Sequence, residues 1–237
     1  KGADCVVVAT PTILAETRMI HALELLPSTV AVTDVASVKG NIADALTGHF
    51  DKVPSNAILG HPIAGSEQSG VSAAKEDLYQ NHRVILINDP ASSPQTDPVL
   101  LAKVSQLWQA VGAEVFEMSV SEHDHVLALT SHLPHLLAYA LVAQLSNHNE
   151  NVNVFNFAAG GLRDFTRIAS SDPRMWREIL LANKTQLSSS IDDFEQWIAQ
   201  LRTMLDSNDG DALEMVFSDV KNSRDNFVAE LAERTKK

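Results

Sequence analysis

Arg163, Arg167, Arg174 and Arg177 fall in and just after the run GGLRDFTRIASSDPRMW, with only Asp164 and Asp172 as acidic residues between the first and the last of them, in a chain of formal net charge -12. A guanidinium presents a planar fork of donors that matches a carboxylate at two points, so a basic island in an acidic chain suggests a small anionic ligand. A solvated helix start with scattered ion pairs is the plainer reading of such a cluster taken alone. Two segments far upstream weigh against it: TDVASVKG at 33–40 and LGHPIAGSEQSG at 59–70. The short apolar runs that lead into them, Val30–Thr33 and Ala57–Leu59, read as buried strands, which would leave Ser37 and His61 just past the carboxyl ends of neighbouring strands. Open parallel sheets bind their ligands at that edge. His61 stands before a proline in a glycine-punctuated loop, and its side chain titrates near neutrality, so it is a candidate proton acceptor.

A second group of titratable residues invites a rival chemistry. His123, His125, His132 and His135 lie within 13 residues, with His132 and His135 spaced i, i+3 on a helix, a spacing that metal sites use. Cysteine is absent from the neighbourhood, Pro134 disturbs the helix between the pair, and His123 and His125 face different sides of any regular helix. No metal is expected.

The elements that must position these residues change character near residue 119. Strand-like runs at 4–9, 29–33, 56–60, 83–87 and 113–118 alternate with helical periodicity at 12–26, 38–49 and 97–111. The spacing predicts an α/β domain over 1–118, a partial Rossmann-like parallel sheet with helices on its faces. Long helical segments follow at about 120–146, 173–206 and 209–234, and Ser119 with Glu122 has the form of a capping box at the first of them. Residues 119–237 therefore read as an all-helical domain. Leu180, Leu187, Ile191, Phe194, Trp197, Ile198 and Leu201 recur at helical spacing, more than one small domain needs for its own core, so a homodimer is expected. Cys5, the single cysteine, sits in an apolar run as a small hydrophobe and excludes an internal disulfide. The acidic balance, with a pI of about 5.1, argues against nucleic acid as a partner. With no recognisable spanning stretch or signal-like start, the reading is a soluble cytoplasmic protein without a membrane partner.

The motifs SVKG, GHPIAGSEQSG, SHLPH and GGLRDFTRIASSDPRMW, in this order, resemble the prephenate/arogenate (cyclohexadienyl) dehydrogenases of tyrosine biosynthesis. The resemblance runs from the first strand to about residue 190. It implies oxidative decarboxylation of prephenate or arogenate, with hydride passed to NAD or NADP. His61 then matches the catalytic histidine and Ser37 the serine that contacts the substrate hydroxyl. Arg167 matches the arginine that binds a substrate carboxylate, and Ser131, His135 and Trp176 match the pocket lining. Ser66 and Glu67 match a gating loop in which the family often has threonine at the position of Ser66. Ala9, Thr10, Pro11 and Ser37 match the cofactor side, and tyrosine enters as a candidate feedback ligand.

One departure from the family pattern is large. The G-x-G-x-x-G turn, and the acidic residue about 20 positions beyond it, are absent, and Lys1–Pro11 looks like the family's fourth sheet strand and the turn after it. On this reading the chain holds the later part of a dinucleotide fold. By itself it is expected to bind NAD or NADP only at millimolar affinity and to show no measurable dehydrogenase activity. The alternative in a different class is a catalytically silent dimerisation or tyrosine-sensing module.

Overall fold

In the computed structural model the described residues are 2–65, 71, 74–89, 96–148 and 153–234, and the chain divides into two compact units, 1–187 and 188–237. The change from sheet to helix at Ser119 falls inside the first unit.

Among the described residues six short strands form two three-stranded sheets. Cys5–Val8 (β1), Ala31–Asp34 (β2) and Ala57–Ile58 (β3) pair in parallel, in the order β1-β2-β3. Gly60–Ile63 (β4), Arg83–Ile87 (β5) and Glu114–Met118 (β6) make the second sheet, with β5 parallel to β6 and β4 antiparallel to β5. The strand expected over 56–60 is thus two strands. They meet at Leu59, whose carbonyl accepts a hydrogen bond from the Ile87 amide at 2.8 Å. Within this otherwise parallel arrangement β4 is the antiparallel neighbour, which needs no helical crossover, and no α-helix occurs among the described residues between Ile63 and Arg83.

Period-2 alternation sends successive residues to opposite faces of the strands. Val32, Ala57, Leu59, Ile85 and Ile87 pack with Ala15, Met19 and Leu23 of Thr12–Leu25 (α1) and with Ile42 and Leu46 of Gly40–Phe50 (α2). Ala31, Ile58, Val84 and Leu86 pack with Leu100, Leu101, Val104 and Trp108 of Pro98–Ala110 (α3). Both sheets share these two cores, so β2, β3 and β4 are held rigidly where the candidate residues leave them.

Helix ends follow from local chemistry. The Asp97 carboxylate caps α3 by accepting from the Val99 and Leu100 amides, and Pro98 fills the first turn, where a missing N–H costs nothing. The capping box of Ser119 and Glu122 forms at the start of Val120–Leu127 (α4). The segment expected as one helix to residue 146 contains a π-helical turn at Ala128–His132 before Leu133–Asn147 (α5). Pro134 occupies the first turn of α5; it has no amide to donate, and the Leu133 amide reaches back five residues to the Ala128 carbonyl.

Gly160–Thr166 (α6) follows. The single helix expected over 173–206 is instead Pro173–Ala182 (α7) and Lys184–Asp206 (α8). The break lies at Asn183, whose buried side chain is engaged by hydrogen bonds inside the first unit. By length and composition, Val120–Asn147 is one stretch of helix able to cross a membrane, which corrects the expectation that none exists; the apolar window lies past Glu122 and Asp124. In the second unit, Gly210–Arg234 (α9) follows α8 after Asn208, left-handed at φ 54°, and Trp197, Ile198, Met215 and Phe217 are exposed.

Candidate active site

The end of β2 carries a buried ion pair. Asp34 and Lys39 have fully buried side chains and are hydrogen-bonded to each other. Burial drives the Lys39 ammonium below its ordinary pKa, and the Asp34 carboxylate opposes that shift. Lys39 Nζ also donates to the Gly60 carbonyl at 2.7 Å, while Asp34 accepts from the Gly60 amide at 3.1 Å and the Ala36 amide at 2.9 Å. Gly60 is thereby clamped on both its backbone groups, immediately before His61. A side chain at Gly60 would bring a Cβ to 3.1 Å from the Asp34 carbonyl oxygen, so the close approach of β4 to β2 favours glycine.

His61 lies on β4 opposite Ile85 and is buried. Its Nδ1 is 2.9 Å from Nε2 of His123 on α4, whose own Nδ1 is 2.7 Å from the Asp124 carboxylate. Asp124 in turn accepts from the amides of Lys39 at 3.0 Å and Gly40 at 2.8 Å, which ties the start of α2 to α4. Gly40 is required here, since a Cβ would fall 2.7 Å from Asp124 Oδ2.

Burial pushes the Asp124 carboxyl up, but hydrogen bonds from His123 and from the two amides outweigh it and hold the group below its ordinary pKa. Burial, then the neighbouring His123, Lys39 and His132, push His61 well below the usual histidine range. His123 is also lowered, by burial above all, against the opposing pull of Asp124. His61 is therefore a neutral imidazole at neutral pH.

In front of His61 opens a cavity of about 630 Å³, within the usual range for small-molecule sites. Ser37 and His61 line it from the sheet side, and Ser131, His132, His135 and Trp176 from the helices. The π turn and Pro134 bring Ser131, His132 and His135 to the same wall. His135 stacks on Trp176 with ring centroids 3.5 Å apart, and its Nδ1 lies 2.9 Å from the Ser131 carbonyl. Asn183 Nδ2 donates to the Asp124 carbonyl at 2.7 Å and lies 3.1 Å from His132 Nδ1. Burial lowers the pKa of His132 to about 4, so this wall is neutral as well.

The structure thus brings together five of the residues singled out from the sequence: His61, Ser37, Ser131, His135 and Trp176. Arg167 is exposed and does not line the cavity, although the next residue, Ile168, does. Ser66 and Glu67 lie outside the described residues. Ala9 and Pro11 are exposed at the end of β1, where Pro11 stands at the N-cap of α1. Among the described residues no cluster of three His, Cys, Asp or Glu converges as a metal site.

Asp34, Lys39, His123, Asp124 and Asn183 were not assigned from sequence. Asp34 and Lys39 flank Ser37 in the quoted TDVASVKG run and were the nearest signal to hand. His123 belongs to the histidine cluster whose spacing invites a metal.

Comparison with known proteins places the chain in a family. The family profile described as "Prephenate dehydrogenase, nucleotide-binding domain" matches residues 1–117, and "Prephenate dehydrogenase, dimerization domain" matches 119–219. A prephenate dehydrogenase of Bacillus subtilis is 40% identical over 237 residues, covering 95% of this chain and 60% of that protein. A cyclohexadienyl dehydrogenase of Zymomonas mobilis is 35% identical over 227 residues, covering 94% of this chain and 75% of that protein. The crystal structure of the Aquifex aeolicus prephenate dehydrogenase in complex with hydroxyphenyl propionate and NAD+ superimposes with a TM-score of 0.85 at 35% identity, covering 93% of this chain and 75% of that one. With both profiles together spanning nearly its whole length, this chain belongs to the prephenate dehydrogenase family.

Proposed function

We propose that this protein is an NAD(P)-dependent dehydrogenase that converts prephenate or arogenate by oxidative decarboxylation into 4-hydroxyphenylpyruvate or tyrosine. The observation that carries this reading is a neutral, buried His61 beside Ser37 at the mouth of a cavity with an aromatic wall. The hydroxyphenyl propionate in the complex of the Aquifex relative, an aromatic carboxylic acid, has the size and character such a wall suits.

The residues on the cofactor side fit a nicotinamide. Thr10 Oγ1 is buried without a hydrogen-bond partner at the end of β1, beside Ala9 and Pro11 and just before the amino end of α1; a carboxamide would satisfy it. Ala9, Thr10, Pro11 and Ser37 would hold that end of the cofactor, which supplies the hydride acceptor.

His61 does the proton work. As hydride leaves C4 of the substrate with its electron pair, the C4 hydroxyl proton passes to His61 Nε2, the ring nitrogen that His123 does not engage. C4 becomes a carbonyl, and Ser37 orients its oxygen. The ring carboxylate then leaves as carbon dioxide, its bonding electrons aromatise the ring, and the former carbonyl oxygen takes a proton that His61 can return. A histidine whose conjugate acid is depressed by burial is a weak base in the ground state. It gains from the anionic Asp124 beyond His123 as positive charge develops.

Arg167, next in sequence to Ile168 of the cavity lining, pairs with a substrate carboxylate, and Ser66 and Glu67 take the gating role. Residues 119–237 serve as the substrate-binding and homodimerisation domain, with 1–118 as the nucleotide side. Helix 120–147 serves the site rather than a membrane. Tyrosine shares a ring and a carboxylate with the substrate and would act as a feedback ligand in the same cavity.

Purified full-length protein incubated with prephenate or arogenate and NAD+ or NADP+ tests the reading. Reduced nicotinamide should accumulate in step with aromatic product for at least one pair. Absence of turnover with all four pairs, in protein of verified fold, would overturn it and favour a silent dimerisation or tyrosine-sensing module.

A further inference from the structure

We propose that His123 and Asp124 are positioning residues that hold His61 in one tautomer, protonated at Nδ1, so that Nε2 is the bare base at the cavity. This rests on His61 being the base of the reaction and adds how it is kept ready.

The argument starts at Asp124. Its carboxylate accepts amide hydrogens from Lys39 at 3.0 Å and from Gly40 at 2.8 Å, so it is an acceptor that stays ionised. An imidazole nitrogen 2.7 Å from an ionised carboxylate oxygen must carry a proton, because two lone pairs cannot share that distance. His123 therefore donates from Nδ1. Surrounded by burial and by the Lys39 ammonium, His123 is neutral, which leaves its Nε2 with a lone pair. That lone pair lies 2.9 Å from His61 Nδ1, so Nδ1 of His61 must be the donor. A neutral His61 then has its only lone pair at Nε2.

The alternative tautomer of His61 would place an N–H where the substrate hydroxyl proton has to arrive. It would need His123 to donate from Nε2, and hence to present a bare Nδ1 to Asp124. The orientation therefore propagates from two backbone amides, through a carboxylate and an imidazole, to the base. The arrangement uses the logic by which a buried aspartate fixes a catalytic histidine, here with a second histidine between them.

The remaining charged and titratable neighbours do not compete for Nδ1. Lys39 is committed to Asp34 and the Gly60 carbonyl, and His132 to Asn183.

Two measurements on the full-length protein test the proposal. Nitrogen-15 NMR of histidine-labelled wild type at neutral pH should show His61 protonated at Nδ1 and bare at Nε2. His123→Leu should lower kcat about 100-fold, the order expected when a general base spends its time in the wrong tautomer, with KM for substrate changed less than about twofold. His123→Gln offers a carbonyl near the Nε2 position and should recover most of that loss.

A wild-type His61 protonated at Nε2, full turnover in folded His123→Leu, or no recovery in His123→Gln would each overturn the proposal. His61→Asn run alongside separates the two levels. Loss of turnover there with none in His123→Leu sinks only the role of His123 and Asp124, whereas retained turnover in His61→Asn sinks the assignment of the base itself.

Discussion

Replacing Lys39 by methionine should destabilise the protein by about 3 kcal/mol, because it leaves the buried Asp34 carboxyl without its lysine partner. Asp34 and Lys39 side chains are both fully buried. Removing one partner of such a pair typically costs about 3–5 kcal/mol. Asp34 would keep the Ala36 and Gly60 amides, which places the expected loss at the lower end.

For a chain of this size about 3 kcal/mol corresponds to a fall of roughly 6–12 °C in Tm. Thermal and urea unfolding of wild type and Lys39→Met would measure it. Adding Asp34→Asn to Lys39→Met removes the stranded charge and should return at least half of the loss, since adjacent sites couple. A second effect has a defined sign: Lys39 lowers the pKa of His61, so its removal should move the acid limb of kcat/KM to higher pH. A Lys39→Met protein within about 1 kcal/mol of wild type would refute this reasoning, because one half of a buried ion pair cannot lose its partner at so small a cost.

Three further outcomes are expected. His61, His123 and His132 all have depressed folded-state pKa values, with His132 at about 4, so the unfolded chain binds more protons between that value and the ordinary 6.5. Stability should be full above about pH 6.5 and be lost as pH falls through about 4, with His132 alone contributing about 3 kcal/mol; unfolding free energies that stay flat from pH 7 to 4.5 would contradict it. Gly40→Ala forces a Cβ to 2.7 Å from Asp124 Oδ2 and should cost about 1–3 kcal/mol while lowering kcat, measured by urea unfolding and steady-state kinetics; a neutral substitution would deny the close approach. Arg167→Gln should raise KM by about 10- to 100-fold, the worth of a charge-assisted hydrogen bond at an exposed position, with a smaller change in kcat; a KM within twofold would remove Arg167 from carboxylate binding.

What the sequence made legible was local. Ser37 and His61 stood out because each follows a short apolar run at a strand end, and the structure places both on one cavity. Ser119 and Glu122 are read within four residues, and their capping box forms. Pro134 was visible as a disturbance, though not as the π turn that widens the helix before it. What stayed hidden was long-range. Asp124 meets the Lys39 amide across 85 positions and His123 meets His61 across 62, and no periodicity encodes such meetings.

The end of α7 was hidden for a related reason. Apolar spacing continues from Trp176 to Leu201 without a glycine or proline to mark a stop. Asn183 breaks the helix where its side chain is engaged by the Asp124 carbonyl and His132. The reversal of β4 was equally silent, since antiparallel and parallel neighbours of a buried strand read as the same apolar run.

The central claim, that His61 is the base of a prephenate or arogenate dehydrogenase, is tested most directly by steady-state kinetics of His61→Asn in the full-length protein. Asparagine keeps a polar side chain at a buried position while removing the titrating nitrogen. The account predicts a kcat lower by about 10²- to 10⁴-fold with KM changed little, as for the loss of a general base. Turnover within a fewfold of wild type, in a variant that unfolds at a comparable temperature, would contradict it.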